Sequence, residues 1–319
     1  MVQVVYDKPA YWFVFCKDEL LLQRETEGRC TVPYGAEPPV KLAEWNIVHR
    51  LTPLEGRECR AVSIDMPVVG DERYVMTGLR ASYDVLPREL YLKAGKGAEI
   101  LYWDKNTKFC GVCGAPMKLH TDISKRCTNC GKEVWPQLAT AIIVLVRRGD
   151  SILLVHAHNL RGKYYGLVAG FVETGETLEE CVRRELMEET GVTVKNIRYF
   201  GSQPWPYPCG LMIGFYADYV EGDLHLQRSE IAYGGWFNRD KLPDIPGKVS
   251  MARMLIDAWL EGRLAEGCGG GKTKSGKCFS LHSRFSDFFA KCRPSFILWQ
   301  GVLRPILPFA RGRLSSCCF

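Results

Sequence analysis

Gly170–Val192 reads GFVETGETLEECVRRELMEETGV and carries glutamates at positions 173, 176, 179, 180, 185, 188 and 189. Carboxylates packed this densely repel one another unless positive charge lies among them. Thr177 is a good N-cap, and Glu180 three residues on completes a capping box. The pattern predicts a helix from there to Thr190, stopped by Gly191. On such a helix Glu185 and Glu189 lie ~40° apart, and Glu188 joins them within a ~100° arc. Three carboxylates on one face form a hard oxygen cluster of the kind that suits Mg²⁺ or Mn²⁺, with substrate phosphate supplying further ligands. The bland reading is a solvated acidic face. Against it stands the order of Gly, Glu, Arg and Glu, in which Arg184 interrupts the acids where a counter-ion for Glu176 would. The preceding VAGFVETGE is a glycine-containing loop whose carbonyls could join a metal's coordination shell.

The rest of the chain frames this segment. At 319 residues it is long enough for two domains, and 46% hydrophobic with 24% charged residues is ordinary for a globular protein. No apolar run reaches the ~20 residues of a membrane span. The first residues, MVQVVYDKPAYWFVFCKDEL, lack a basic region followed by an apolar one, so a cytoplasmic protein without contact to membranes is expected.

Residues 110–131 read CGVCGAPMKLHTDISKRCTNCG, two Cys-x-x-Cys-Gly knuckles 13 residues apart. Two thiolates three positions apart on a tight turn can reach one ion, and two such turns complete a tetrahedron. Cys110, Cys113, Cys127 and Cys130 are therefore expected to hold one structural Zn²⁺ per chain. Four sulfur ligands leave no open position, so this is not a catalytic metal. His120, between the knuckles, is expected in a surface loop.

Residues 1–105 mix apolar and alternating runs with turn signals and predict a small α+β domain without a catalytic motif. LPRELYLKAGKGAEILYWDKNT predicts a helical connector into the ribbon, 106–135. Residues 136–262 follow, where two β-rich runs joined by RRGD suggest a hairpin. Further strands, the acidic helix and a last amphipathic helix predict an α/β (α+β) sandwich. The tail, 263–319, changes character. Beyond Gly267 nine Lys and Arg face one acid, Asp287, whereas the rest of the chain is slightly acidic. The tail's apolar patches lack periodicity, and no domain is expected there. An appendage, a partner-binding segment or a frame-shifted reading of the gene would all fit, the last best.

Gly170, Glu176, Arg184, Glu185, Leu186, Glu188, Glu189, Gly191 and Val192 fill every position of a Gly-x5-Glu-x7-Arg-Glu-apolar-x-Glu-Glu-x-Gly-apolar pattern. The segment thus resembles the Nudix box. Beyond it Ser202–Pro208 reads SQPWPYP, a stiff aromatic-rich loop suited to stacking on a flat heterocycle or, equally, to packing as a rigid turn. With the zinc ribbon ahead of the box, the chain resembles the NADH pyrophosphatase subfamily over roughly residues 1–262. That subfamily's signature is Ser-Gln-Pro-Trp-Pro-Phe-Pro-x-Ser. Here Tyr207 replaces the phenylalanine and Gly210 the final serine, which removes a hydroxyl and bears on substrate preference.

The resemblance implies a Nudix α/β/α sandwich preceded by a four-cysteine ribbon and an N-terminal degenerate Nudix-like domain. It implies two or three Mg²⁺ or Mn²⁺ ions held by the Ala169 carbonyl, Glu185, Glu189 and Glu230. Glu188 is a further ligand or the base; Glu230, by sequence alone only a loop acid, enters on the resemblance. Substrate contacts carried over are Trp135, Gln203, Pro204, Trp205, Pro206, Tyr207, Pro208, Cys209, Gly210 and Ala252. Phe171, beside the metal loop, is a candidate stacking partner or a core aromatic. The implied reaction is hydrolysis of NADH or NAD⁺ to AMP and nicotinamide mononucleotide, and removal of 5′ NAD caps from RNA, by a homodimer. Competing readings are a Nudix hydrolase of other dinucleotides or nucleoside triphosphates, and a nucleic-acid-binding zinc-ribbon protein with an inert Nudix domain.

Overall fold

Ten consecutive residues, ATAIIVLVRR, alternate their side chains between two apolar layers and so make the central strand of the C-terminal sandwich, β11 (Ala139–Arg148). A computed structural model describes residues 8–25, 28–158 and 162–264, so all of the tail 263–319 except Arg263 and Leu264 lies outside the described residues. β11 turns at Gly149, whose φ of 58° suits a tight hairpin, into β12 (Ser151–Ala157). The two strands pair only near the turn, after which β13 (Val168–Phe171) takes over against Ala141–Val144. β14 (Thr193–Trp205), β15 (Gly210–Glu221) and β16 (Ile231–Asn238) complete a sheet of order β14-β15-β11-β12-β16.

One face of this sheet, with Ile142, Val144 and Val146, packs on Cys181, Val182 and Leu186 of α2 (Leu178–Thr190). The other, with Ile143 and Leu145, packs on Leu255, Ile256 and Trp259 of α3 (Met251–Leu260). This is the expected α/β/α sandwich. Burying a side chain such as Leu186 completely contributes ~1.5–3 kcal/mol.

The N-terminal domain contains β1 (Ala10–Cys16), β2 (Glu19–Arg24), β3 (Cys30–Thr31), β4 (Tyr34–Gly35), β5 (His49–Leu54), β6 (Arg57–Ser63) and β7 (Tyr74–Gly78). They form one sheet along β3-β2-β1-β6-β5, with β4 on β1 and β7 on β2. The expected helical connector is α1 (Arg88–Asn106). It is more than a connector, because Leu90, Tyr91, Ala94 and Ile100 bury against Phe13, Phe15 and Leu22. The opposite face, with Trp12, Val14, Leu21 and Val62, is covered by loop residues such as Val40, Leu42 and Val48 instead of a second helix.

The ribbon's strands β8 (Met117–Thr121), β9 (Ser124–Cys127) and β10 (Glu133–Val134) follow. His120 sits exposed on β8, so it belongs to a strand and not to the loop expected. Lys125 on β9, almost fully buried, reaches back to α1. Its Nζ lies 2.8 Å from both the Asp104 carboxylate and the Asp104 carbonyl, and 2.9 Å from Thr107 O. Burial works against an ionised Asp104, but His49 and Lys125 hold its pKa down at about 2. Among the described residues, no helix is long and apolar enough to cross a membrane.

Candidate metal and pyrophosphate site

Helix α2 begins as its sequence dictates. Thr177 accepts from Glu180 N at 3.2 Å, and the Glu180 carboxylate accepts from Thr177 N at 2.7 Å. Gly191 ends it at φ 72°, a left-handed cap in which a side chain would be strained. These two stops set the rotation of the helix and hence where its acids point.

Arg184 is the positive charge the segment requires. Its Nη2 and Nε grip Glu176 in a fork at 2.7 and 3.0 Å, while Nη1 reaches Glu185 at 2.9 Å and Glu188 at 3.1 Å. Nη2 also donates to Phe171 O at 3.0 Å, tying the helix to β13. Beside this guanidinium, and accepting from Glu173 N, the Glu176 carboxyl falls to about 2. Glu176 and Arg184 therefore brace the loop and leave the remaining acids to other work.

Those acids lie near enough to raise one another's pKa, though among the described residues no three carboxylates stand within 4.8 Å of one another. Glu189 is only 6% exposed, and among the described residues no cation pairs with it. Burial, with Glu185, Glu230 and Glu188 nearby, pushes its pKa up to about 8. Burial likewise raises Glu185 despite Arg184, with Glu188 and Glu230 adding to the rise. Glu230 is exposed in the turn just before β16, and His158 N donates to its carbonyl at 2.8 Å. The pairing of β12 with β16 brings it to this place. Glu188 stays exposed at the rim.

Gly170 on β13 explains its own place in the pattern, since a Cβ there would overlap the Glu185 carboxylate. The glycine lets that carboxylate lie against the strand next to Ala169, which is half-buried opposite Ile143. A buried acid with no cation, two acidic neighbours and an apposed backbone make a donor set that fits hard divalent ions.

Several of the expected substrate residues lie along the start of β11 and on the strands paired to it. Ala139 pairs with Gly210 and donates to Cys209 O at 2.8 Å, while Ala141 pairs with Phe171. Trp135, half exposed, lies four residues before Ala139. Phe171 is 66% exposed and so is not a core aromatic. Ala252 is buried in the first turn of α3 beside Met251, with its side chain in the core. The stretch expected as a loop divides differently. Ser202–Trp205 completes β14, and only Pro206–Cys209 forms the turn into β15. Pro204 is compatible with a strand because β14 lies at the sheet edge. Gly210 faces Trp205 across that turn, and a Cβ there would meet Trp205 O at 3.0 Å.

In the ribbon, the four cysteine sulfurs lie within 4.8 Å of one another. The Cys110–Cys130 and Cys113–Cys127 pairs are 3.6 and 3.4 Å apart, near the ~3.8 Å that tetrahedral Zn–S bonds of ~2.3 Å require. Val112 N and Asn129 N point at Cys110 and Cys127 sulfur, both at 3.4 Å, and Gly114 and Gly131 adopt φ of 73° to allow it. Donation from Cys130 N and Asn129 N lowers the Cys127 thiol to about 6, while donation from Lys132 N is outweighed by the Cys113 and Cys127 sulfurs, which push Cys130 up to about 12, the mutual repulsion of closely packed sulfurs. The residues fit structural zinc.

Comparison with known proteins finds three family models along the chain. Residues 9–103 match the NADH pyrophosphatase-like rudimentary NUDIX domain, 105–134 the NADH pyrophosphatase zinc ribbon domain, and 135–258 the NUDIX domain. The chain is similar to the NAD-capped RNA hydrolase NudC of Klebsiella pneumoniae (strain 342), 43% identical over 59% of this chain and 73% of that protein. It is also similar to the NAD-capped RNA hydrolase NudC of Haemophilus influenzae (strain PittGG), 45% identical over 55% of this chain and 69% of that protein. Its complete box, its four-sulfur ribbon and these relatives agree, and the chain belongs to the NADH pyrophosphatase subfamily of the Nudix hydrolases.

Proposed function

We propose that this protein hydrolyses the pyrophosphate bond of NADH and NAD⁺ to AMP and nicotinamide mononucleotide, and cleaves the same bond in RNA carrying a 5′ NAD cap. The observation that carries the reading is buried Glu189, set among Glu185, Glu188 and Glu230 with no cation beside it among the described residues. Glu185, Glu189 and Glu230, with the Ala169 carbonyl, would hold two or three Mg²⁺ or Mn²⁺ ions. When bound, such ions neutralise phosphate charge and make water a better nucleophile. Glu188 and Glu189 are the first candidates to take the water's proton, with Glu230 in reserve. Arg184 keeps Glu185 and Glu188 oriented. Phe171, Trp135 and the residues from Gln203 to Gly210 form the surface for the dinucleotide's bases, and Ala252, its side chain in the core, would meet substrate through its backbone. The same reading includes the division at 1–105, 106–135 and 136–262, a homodimer, and the cytoplasm. A reducing compartment suits the described cysteines, which are all free thiols.

The test is a product assay on NADH, NAD⁺, ADP-ribose and NAD-capped RNA in parallel, with and without EDTA. Expected is AMP with the reduced or oxidised mononucleotide from the first two, monophosphorylated RNA from the last, and none in EDTA. Turnover of ADP-ribose alone would replace the reading with that of a different Nudix hydrolase.

A further inference from the structure

The core of the N-terminal domain ends on the catalytic half. Tyr207 and Val249 pack against the cluster that contains Phe13, Leu90, Tyr91 and Ala94. The hydroxyls of Tyr207 and Tyr91 are hydrogen-bonded at 2.7 Å. The Arg80 guanidinium lies 4.4 Å over the Tyr207 ring and 5.0 Å over that of Trp205, and the two rings meet edge to face at 5.2 Å. Pro206, buried between them, sits on Gly95 of α1, where a Cβ would come within 2.9 Å of its Cγ. From the catalytic side the segment is held by the β14–β15 ladder, which pairs Ser202–Trp205 with Ile213–Gly210, by Gln203 Nε2 to Val249 O at 2.6 Å, and by Ala139 N to Cys209 O at 2.8 Å. Elsewhere the seam opens into a cleft of about 340 Å³ lined by Arg80, Tyr83, Asp84, Lys248 and Val249.

The hydroxyl contact depends on a departure in this chain. The family signature has phenylalanine where Tyr207 stands, and phenylalanine has no hydroxyl to pair. A buried hydroxyl without a partner would be destabilising, and Tyr91 supplies the partner.

We propose that the N-terminal domain positions the substrate turn: Tyr91 and Arg80, acting through Tyr207 and Trp205, hold its aromatic rings at the angle that receives a flat heterocycle of the dinucleotide. This rests on the reaction assigned above. Tyr91 and Arg80 are positioning residues in this scheme and do not touch substrate.

The test uses the full chain and the variants Tyr91→Phe, Tyr207→Phe and the double variant. Tyr91→Phe is expected to raise KM for NADH about fivefold with kcat changed less than about twofold, the size of one lost hydrogen bond. The double variant should be no worse than either single, because all three break one bond. Amide hydrogen exchange over 202–211 should quicken in Tyr91→Phe while that of β11 stays unchanged. Unchanged KM and unchanged exchange, or single effects that multiply in the double variant, would overturn the proposal. A wild-type chain inert toward NADH whose 202–211 segment still loosens in Tyr91→Phe would instead overturn the assigned reaction and support the anchor.

Discussion

Replacing Glu189 by glutamine is expected to lower NADH turnover by about 10²–10⁴-fold while leaving the fold intact and, without divalent metal, raising its stability at pH 8. Both effects follow from one carboxylate. In the folded chain burial raises Glu189 to about 8, against an ordinary value near 4.5. Between those values the folded state binds a proton that the unfolded state has released. The metal-free protein therefore loses stability as pH climbs from about 5 to 8. Glu176, held at about 2 by Arg184, acts with the opposite sign but only below about 4.5, outside this window. Glutamine keeps the shape of the neutral acid and cannot ionise. The variant's metal-free Tm should fall less from pH 6 to 8 than that of the wild type, the remaining slope coming from Glu99, which burial pushes up to about 7, and from Glu185, which burial also raises. Thermal melts in EDTA across that range check the stability claim, and steady-state kinetics in Mg²⁺ check the rate. A variant that keeps full turnover would remove Glu189 from the chemistry.

The second large effect belongs to a residue with no side chain. Gly170→Ala places a methyl group where the Glu185 carboxylate lies. The overlap is with the far end of a flexible side chain, which can swing away, so the stability cost should stay under ~1 kcal/mol. Function cannot adapt so cheaply, because Glu185 then loses its seat against β13 and Ala169. Turnover should fall about 10²-fold and the metal concentration for half-activity should rise. A melt and a Mg²⁺ titration of the variant decide between this and simple misfolding. A large loss of Tm would show that Gly170 serves packing and not the position of Glu185.

Local features were the readable ones. Thr177, Glu180 and Gly191 bound α2 because caps act within one helical turn. The order of Glu176 and Arg184 forecast their pairing, eight residues apart, because one loop and one helix turn join them. The doubled Cys-x-x-Cys knuckles forecast a four-sulfur cluster for the same reason. What escaped depends on distant pairing. Glu230 nears Glu189 only because β16 joins the far side of β12, which no local period records. Tyr91 and Tyr207 stand 116 positions apart, and only the added hydroxyl hinted that Tyr207 needs a partner. Pro204 made Ser202–Trp205 look like a loop, since proline interrupts an inner strand. At the edge of the sheet its missing N–H costs nothing. Phe171 could equally have been core or surface, because it ends the short strand β13 and only the assembled sheet shows which way it faces.

The central claim is that these acids gather divalent cations, and the direct measurement is the anomalous scattering of manganese in crystals of the protein grown with Mn²⁺. Manganese peaks bonded to the carboxylates of Glu185, Glu189 and Glu230 are expected, with the Glu189 peak lost in the Glu189→Gln variant. Manganese bound away from these residues in protein that hydrolyses NADH would contradict it.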